Sequence, residues 1–333
     1  MIIRRARLNE LAELRHFYNT HWGYKHAIIN IKTYVDFYFI DGEYLNFIIA
    51  RYTEDSEIIS ACGYVLSNST GSPDVWTTLW LTKRGVVESI GLQIVDFMAN
   101  KMGFRSLSTN KAEQNTLILY RFLGYETAVM DHYYRLSDKS SYSVAIIERR
   151  VILPYEATGY SLVQLKEPQQ LLDMFDDSIL ANNVPHKDLN YIIKRYYEFP
   201  FYYYYVYGIL DEQRHCRSIV VIRKVEINYT SVLRVVDLIG NYEDFAQIGH
   251  CVQDLLNKFG CEYIDFYCYG LPPEILNRAG FLKRTGTDVN IIPGYLEPYV
   301  PKNIEYYFFC NRMDGFTMFK ADGDQDRLYI DIL

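Results

Sequence analysis

The stretch NTLILYRFLGYE, residues 115–126, reads as a short amphipathic helix that opens on Asn115 and stops at Gly124 before an aromatic strand. Tyr120 lies within it. A phenol there is either a core aromatic beside Leu117 and Leu123 or a proton donor at a site built around the Gly124-Tyr125 corner. A second stretch of interest is the tail ADGDQDR, residues 321–327. Asp322, Asp324 and Asp326 mimic the opening of a calcium loop, but Arg327 stands where that loop needs Gly and the closing Glu is missing, so no EF-hand follows. A solvated acidic turn is one reading. A sugar-recognition loop is the other: Asp322, Asp324 and Gln325 accept hydrogen bonds from hydroxyls, and Arg327 forks onto phosphate.

Other residue types exclude more than they offer. His16, His21 and His26 recur every five residues, which scatters them around a helix, and no metal site is expected. The six cysteines show no CxxC spacing and read as reduced, mostly buried thiols. A formal charge of −7 argues against a binder of nucleic acid dominated by phosphate neutralisation. No apolar run approaches the roughly 20 residues of a membrane span, and MIIRRARLNELAEL lacks the apolar core of a signal peptide. A cytoplasmic protein is expected.

These residues must be positioned by elements, and the elements repeat. SIGLQIVDFMANKMGFRSLST (89–109) and QIGHCVQDLLNKFGCEYIDFY (247–267) share an Ile-Gly, a helical apolar period, an Asn-Lys, a Gly suited to a left-handed C-cap and a short apolar strand. Further on, Leu123-Gly124-Tyr125 matches Ala279-Gly280-Phe281. Before the first helix come the strands LNFIIAR, ISACGYVL and VWTTLWL; before the second come FYYYYVYGIL, RSIVVIRKVEI and VLRVVDLIG. The tyrosine run 202–205 lacks alternation, which predicts a strand covered on both faces. At 333 residues the chain accommodates two α/β modules, over 1–140 and 150–333, joined near the polar SDKSSYS.

Three strands, a loop, a helix, a strand and a helix ending in a Gly-aromatic corner resemble the GNAT superfamily of acyl-CoA-dependent N-acyltransferases. Asn115, Tyr120 and Leu-Gly-Tyr are similar to its Asn…Tyr…Leu-Gly-Phe motif, and MDHYYRL (130–136) is similar to its terminal strand. The pyrophosphate loop corresponds to VVESIG (86–91), where Val86 and Ser89 depart from the family pattern. The whole chain also resembles tandem GNAT-like proteins of bacterial surface-polysaccharide gene clusters, through HWGYKHAIINIKTYVDFYF (21–39), EYIDFY and FKADGDQDR (319–327). Each module is then a mixed, mostly antiparallel sheet flanked by helices.

The resemblance implies acetyl-CoA as acyl donor, no metal, and an amino-sugar acceptor, most simply nucleotide-linked. Leu79, Trp80 and Leu81 would lie along the pantetheine arm, with backbone N–H groups stabilising an oxyanion. Lys83, Arg84 and the helix start at Ser89, Ile90 and Gly91 would meet the pyrophosphate. Asn115 belongs to the same cofactor motif, and Tyr120 would protonate the departing thiolate. His26 and Glu43 are the candidates for the base, and Asp322, Asp324, Gln325 and Arg327 for acceptor binding. The second module carries Leu276 in place of the Tyr and reads as a degenerate copy that shapes the acceptor site. Alternatives are a non-catalytic binding protein of this fold, or transfer of an acetyl group to oxygen or of an aminoacyl group to a sugar.

Overall fold

A computed structural model describes residues 1–328 except Glu88 and Asn228. The first part of the chain runs β1 (Ile2–Arg7), α1 (Leu11–His21), α2 (Ala27–Asn30), α3 (Lys32–Tyr38), β2 (Ile40–Asp41), β3 (Tyr44–Arg51), β4 (Ser60–Leu66), β5 (Asp74–Thr82), α4 (Ile90–Lys101), β6 (Ser106–Ala112), α5 (Leu117–Phe122), β7 (Glu126–Val129) and β8 (Asp131–Leu136). The second part runs β9 (Ser161–Gln164), α6 (Pro168–Met174), α7 (Leu189–Tyr196), β10 (Tyr205–Leu210), β11 (Cys216–Ile227), β12 (Thr230–Gly240), α8 (Gly249–Phe259), β13 (Tyr263–Tyr269), α9 (Pro273–Arg278) and β14 (Leu282–Lys283). The short β15 (Tyr295–Leu296), β16 (Tyr299–Val300), β17 (Tyr307–Cys310) and β18 (Met318–Phe319) follow.

Two compact units result, and neither is continuous in sequence. The first comprises Met1–Ala128, Tyr307–Met313 and the described residues from Gly323 on; the second comprises Val129–Tyr306 and Asp314–Asp322. This corrects the boundaries expected from sequence, 1–140 and 150–333. The first sheet has the order β1-β3-β4-β5-β6-β17-β7, with β2 on β3; the second has β14-β8-β13-β12-β11-β10-β9, with β18 on β13. The strand MDHYYRL, expected to close the first sheet, instead lies in the second as β8, paired with β13 from Tyr263↔Leu136 to Cys268↔Asp131. Its expected place, next to β6, is taken by β17, with Phe309 opposite Thr109. Apolar alternation reports which strands are buried, not which sheet receives them.

In each unit one helix covers the parallel pair of strands. Helix α4 buries Ile90, Ile94, Val95 and Met98, a helical stripe that packs on Ile48, Cys62, Val75 and Leu107. Helix α8 buries Val252, Leu255 and Leu256 and ends on Gly260 at φ 61, the left-handed cap expected from sequence. The tyrosine run is a second correction. Strand β10 begins only at Tyr205, Tyr203 is 63% exposed, and only the later residues are enclosed. All six cysteines are free thiols. Among the described residues, no helix is long and apolar enough to cross a membrane.

Candidate functional site

Strands β5 and β6 pair in parallel through Asp74↔Ser106, Val75↔Leu107 and Trp76↔Ser108, and among the described residues the pairing ends there. Just past that point the β4–β5 register slips: Gly63 faces Thr78 while Ala61 faces Leu81, which places one extra residue in β5. Leu79 takes it up at φ 49, a conformation that a γ-branched side chain rarely adopts. The fully buried Tyr18 hydroxyl donates to the Leu79 carbonyl and holds the bulge in place. Beyond it lies a pocket of about 240 Å³, walled by Thr77–Trp80 on one side and Thr109–Glu113 on the other. Trp22, Tyr24, His26, Thr116, Tyr120, Asp324, Gln325 and Arg327 complete the lining.

Tyr120 is a core aromatic that also lines the pocket. Only 4% exposed, it packs in the core of the first unit between Trp80, at 5.5 Å between ring centroids, and Phe309, at 3.8 Å, and it also lines the pocket. Burial drives its phenol well above the usual value, so the hydroxyl stays protonated throughout the working pH range. Its hydrogen-bond partner is Thr116, whose own hydroxyl donates to the Glu113 carbonyl at 2.7 Å.

The tail supplies the polar wall. Asp324 accepts from Thr78 Oγ1 at 2.9 Å, from Gln325 Nε2 at 3.0 Å and from Arg327 Nη1 at 2.6 Å. Burial would raise this carboxyl, but Arg327 and those hydrogen bonds hold it below the usual range. Gly323, at φ 68, lets the loop pass so close to Trp76 that a Cβ there would sit 2.9 Å from the Trp76 Cβ. His26 rests against Trp22 and Tyr24, with ring centroids at 5.3 and 5.9 Å. Burial and the charges of Arg327 and Lys111, opposed by Asp324, push its imidazole down to about 4.

Several expected residues lie elsewhere. Glu43 stands on the exposed turn between β2 and β3, and Asn115 is exposed on the turn before α5; neither lines the pocket. Asp322 belongs to the second unit, where Lys187 Nζ reaches it at 2.6 Å. Leu81, Lys83, Arg84, Ser89, Ile90 and Gly91 are also outside the pocket lining. Lys83 pairs with Glu57, Arg84 and Ser89 are exposed, and Ile90 is a core residue. Gly91 answers to packing: a Cβ there would lie 2.7 Å from Thr82 Oγ1 and 3.2 Å from the Trp80 ring. Glu88, inside the expected pyrophosphate loop, is outside the described residues. Trp22, Tyr24 and Lys111 were not singled out from the sequence, where no spacing links them to Tyr120; Thr116, four residues before Tyr120 at helical spacing, was missed as well.

One polar group stands between the pocket and the start of α4. Trp80 lines the pocket, and its buried indole N–H has no hydrogen-bond partner among the described residues, although it lies beside Gly91 at the start of α4. A helix of 12 residues offers unsatisfied N–H groups to phosphate oxygens at that end.

No family model and no curated protein sequence matches the chain. Among solved structures it is similar to a GCN5-related N-acetyltransferase from Anabaena variabilis, with a TM-score of 0.52 at 12% identity over 93% of this chain and 72% of that one. A conserved protein of unknown function from Enterococcus faecalis gives a TM-score of 0.52 at 7% identity, with the same coverage. The likeness is one of fold: an α/β chain with two mixed sheets, of GNAT-like arrangement.

The second GNAT-like module repeats the opening and fills it. Strands β12 and β13 pair through Leu233↔Ile264 to Val235↔Phe266, and β12 bulges at Val236, between the partners of Val221 and Ile222. Strand β18 then joins β13 through Cys268↔Phe319 and Tyr269↔Met318, while Ala321 N–H donates to the Val236 carbonyl at 2.9 Å. Leu276, matching Tyr120, is fully buried. The place that is a pocket in the first module is occupied here by the protein's own backbone.

Proposed function

We propose that the chain is an acyl-CoA-dependent N-acyltransferase, in its simplest form an N-acetyltransferase, with a nucleotide-linked amino sugar as acceptor in surface-glycan biosynthesis. The observation that carries this reading is the bulged β5 beside β6, with Tyr120 in the pocket that follows. Acyl-CoA supplies an activated thioester. Backbone N–H groups around Leu79, displaced from ladder register by the bulge, are suited to the charge that develops on a carbonyl oxygen in acyl transfer. As the amine nitrogen bonds to the acyl carbon and the C–S bond breaks, Tyr120 gives its proton to the sulfur; the proton lost by the amine passes to water. Trp22, Tyr24 and His26 offer aromatic faces for a sugar ring, and Asp324, Gln325 and Arg327 offer groups for hydroxyls and phosphate.

Tyr120→Phe tests the assignment. The ring and its stacking persist, so CoA affinity and stability hold, while kcat falls by roughly 10²–10⁴, the usual worth of general acid catalysis. Full activity, measured where chemistry limits turnover, would retire the role. A non-catalytic binding protein is the rival reading. It is favoured by Val86 at the position of the family's basic or amide residue and by the engagement of Lys83 with Glu57.

A further inference from the structure

His26 also makes a hydrogen bond that constrains its chemistry. It caps α2: its Nδ1 accepts the backbone N–H of Ile28 at 3.4 Å. A backbone N–H can only donate, so Nδ1 must present its lone pair, and the proton of a neutral imidazole then sits on Nε2. The ring is held in this pose by Trp22, whose plane meets it at 66°, and by Tyr24, stacked at 28°. The charged groups around it are Arg327 and Asp324 from the tail and Lys111 from β6. Two cations against one carboxylate favour the neutral ring.

We infer that His26 serves this pocket as a neutral hydrogen-bond donor through Nε2–H, gripping an oxygen of the acceptor, and not as the base that removes the amine proton. A base needs a lone pair facing the substrate, and the lone pair of His26 faces its own helix. The acceptor must then carry a hydroxyl, carboxylate or phosphate oxygen within reach of the Trp22 and Tyr24 faces. That requirement sorts acceptors: an amine on a bare alkyl chain lacks the oxygen, whereas an amine on a polyhydroxylated or phosphorylated ring has it. The identity of the bound molecule as an acyl acceptor rests on the function proposed above; the tautomer of His26 does not.

Two measurements on the full chain separate these dependencies. In ¹⁵N-histidine-labelled protein without substrate, the imidazole signals of His26 should show protonated Nε2 and bare Nδ1, unchanged from pH 8 to about 5. An Nδ1–H tautomer, or protonation near 6.5, overturns the inference whatever the protein catalyses. The second measurement uses acetyl-CoA with UDP-glucosamine as the probe acceptor and compares two isosteres. His26→Gln places an amide N–H near the position of Nε2–H and should keep the acceptor KM within about threefold, whereas His26→Asn should raise it about tenfold, the scale of one lost hydrogen bond. Equal collapse of kcat in both folded variants would mark a base, and full activity in both would mark a bystander; either result overturns the inference. If the unaltered protein transfers nothing to the probe, the function reading loses that acceptor while the labelling result still decides His26.

Discussion

Phe309 lies face to face with Tyr120, their ring centroids 3.8 Å apart and their planes at 21°, although the two residues come from opposite parts of the chain. Phe309 is fully buried and stacks on Tyr125 as well, at 5.6 Å. The ring that positions the proposed acid is thus delivered by β17, the strand standing where β8 was expected. Phe309→Ala should cost about 3–5 kcal/mol in stability, as expected for a truncated core aromatic. Phe309→Leu should cost less and leave Tyr120 loosely held. Chemical denaturation of both variants checks the order, and equal losses would contradict it.

The same relationship bears on dissection of the chain. A fragment of residues 1–140 contains the proposed acid but lacks β17 and the loop 324–327, both part of the first unit. It should be insoluble or lack a cooperative unfolding transition. Adding a peptide cannot be expected to restore it, because β17 is interior to the sheet, between β6 and β7. A cooperative melt from the 1–140 fragment would show that the first unit does not need its C-terminal strand.

A buried charge cluster in the second unit predicts a pH-dependent stability. Lys187 Nζ lies 2.7 Å from Asp237 and 2.6 Å from Asp322, and the Tyr196 hydroxyl donates to Asp237. Burial pushes the Asp322 carboxyl up to about 6, against the pull of Lys187. The folded state then holds a proton that the unfolded state has lost above about pH 4, so this group lowers stability as pH rises from about 4 to 6. Asp322→Asn should flatten that part of the stability profile and be mild at pH 7, since Lys187 keeps Asp237. Lys187→Met leaves two carboxylates without their cation and should cost about 3–5 kcal/mol. Urea titrations at pH 4, 5, 6 and 7 read both effects, and an unchanged slope in Asp322→Asn would exclude it as the source.

Glu43 gives a control. On its exposed turn, Glu43→Gln should leave stability and turnover within about twofold, since exposed substitutions away from a site change little. A large loss of kcat would mean that the turn takes part in the reaction.

What was legible in the sequence followed from local chemistry. The strand triplets, the α4 and α8 stripes and Tyr120 each carry their signal within a dozen residues. The tail was legible only in part: Asp324, Gln325 and Arg327 reach the pocket, while Asp322, two residues earlier, turns into a buried pair with Lys187. Acidic spacing alone cannot distinguish them, because the turn at Gly323 decides which way each carboxylate faces. The place of β17 and β8 was not legible, since the choice between sheets is made by distant partners. Gly91 suggested a phosphate loop, whereas the structure shows a close-packing position against Thr82 and Trp80. Trp22 and Tyr24 were hidden because their relation to Tyr120 exists only once β5 and β6 part.

The central claim is that one acyl-CoA occupies the pocket beyond the β5 bulge, and calorimetric titration of acetyl-CoA into the folded full chain tests it most directly. The account predicts saturable binding of one molecule per chain, because the matching place in the second module is filled by β18 and Ala321, and it predicts loss of that binding when Thr78→Trp fills the first pocket. No heat of binding from demonstrably folded protein, two molecules per chain, or undiminished binding in folded Thr78→Trp would contradict it.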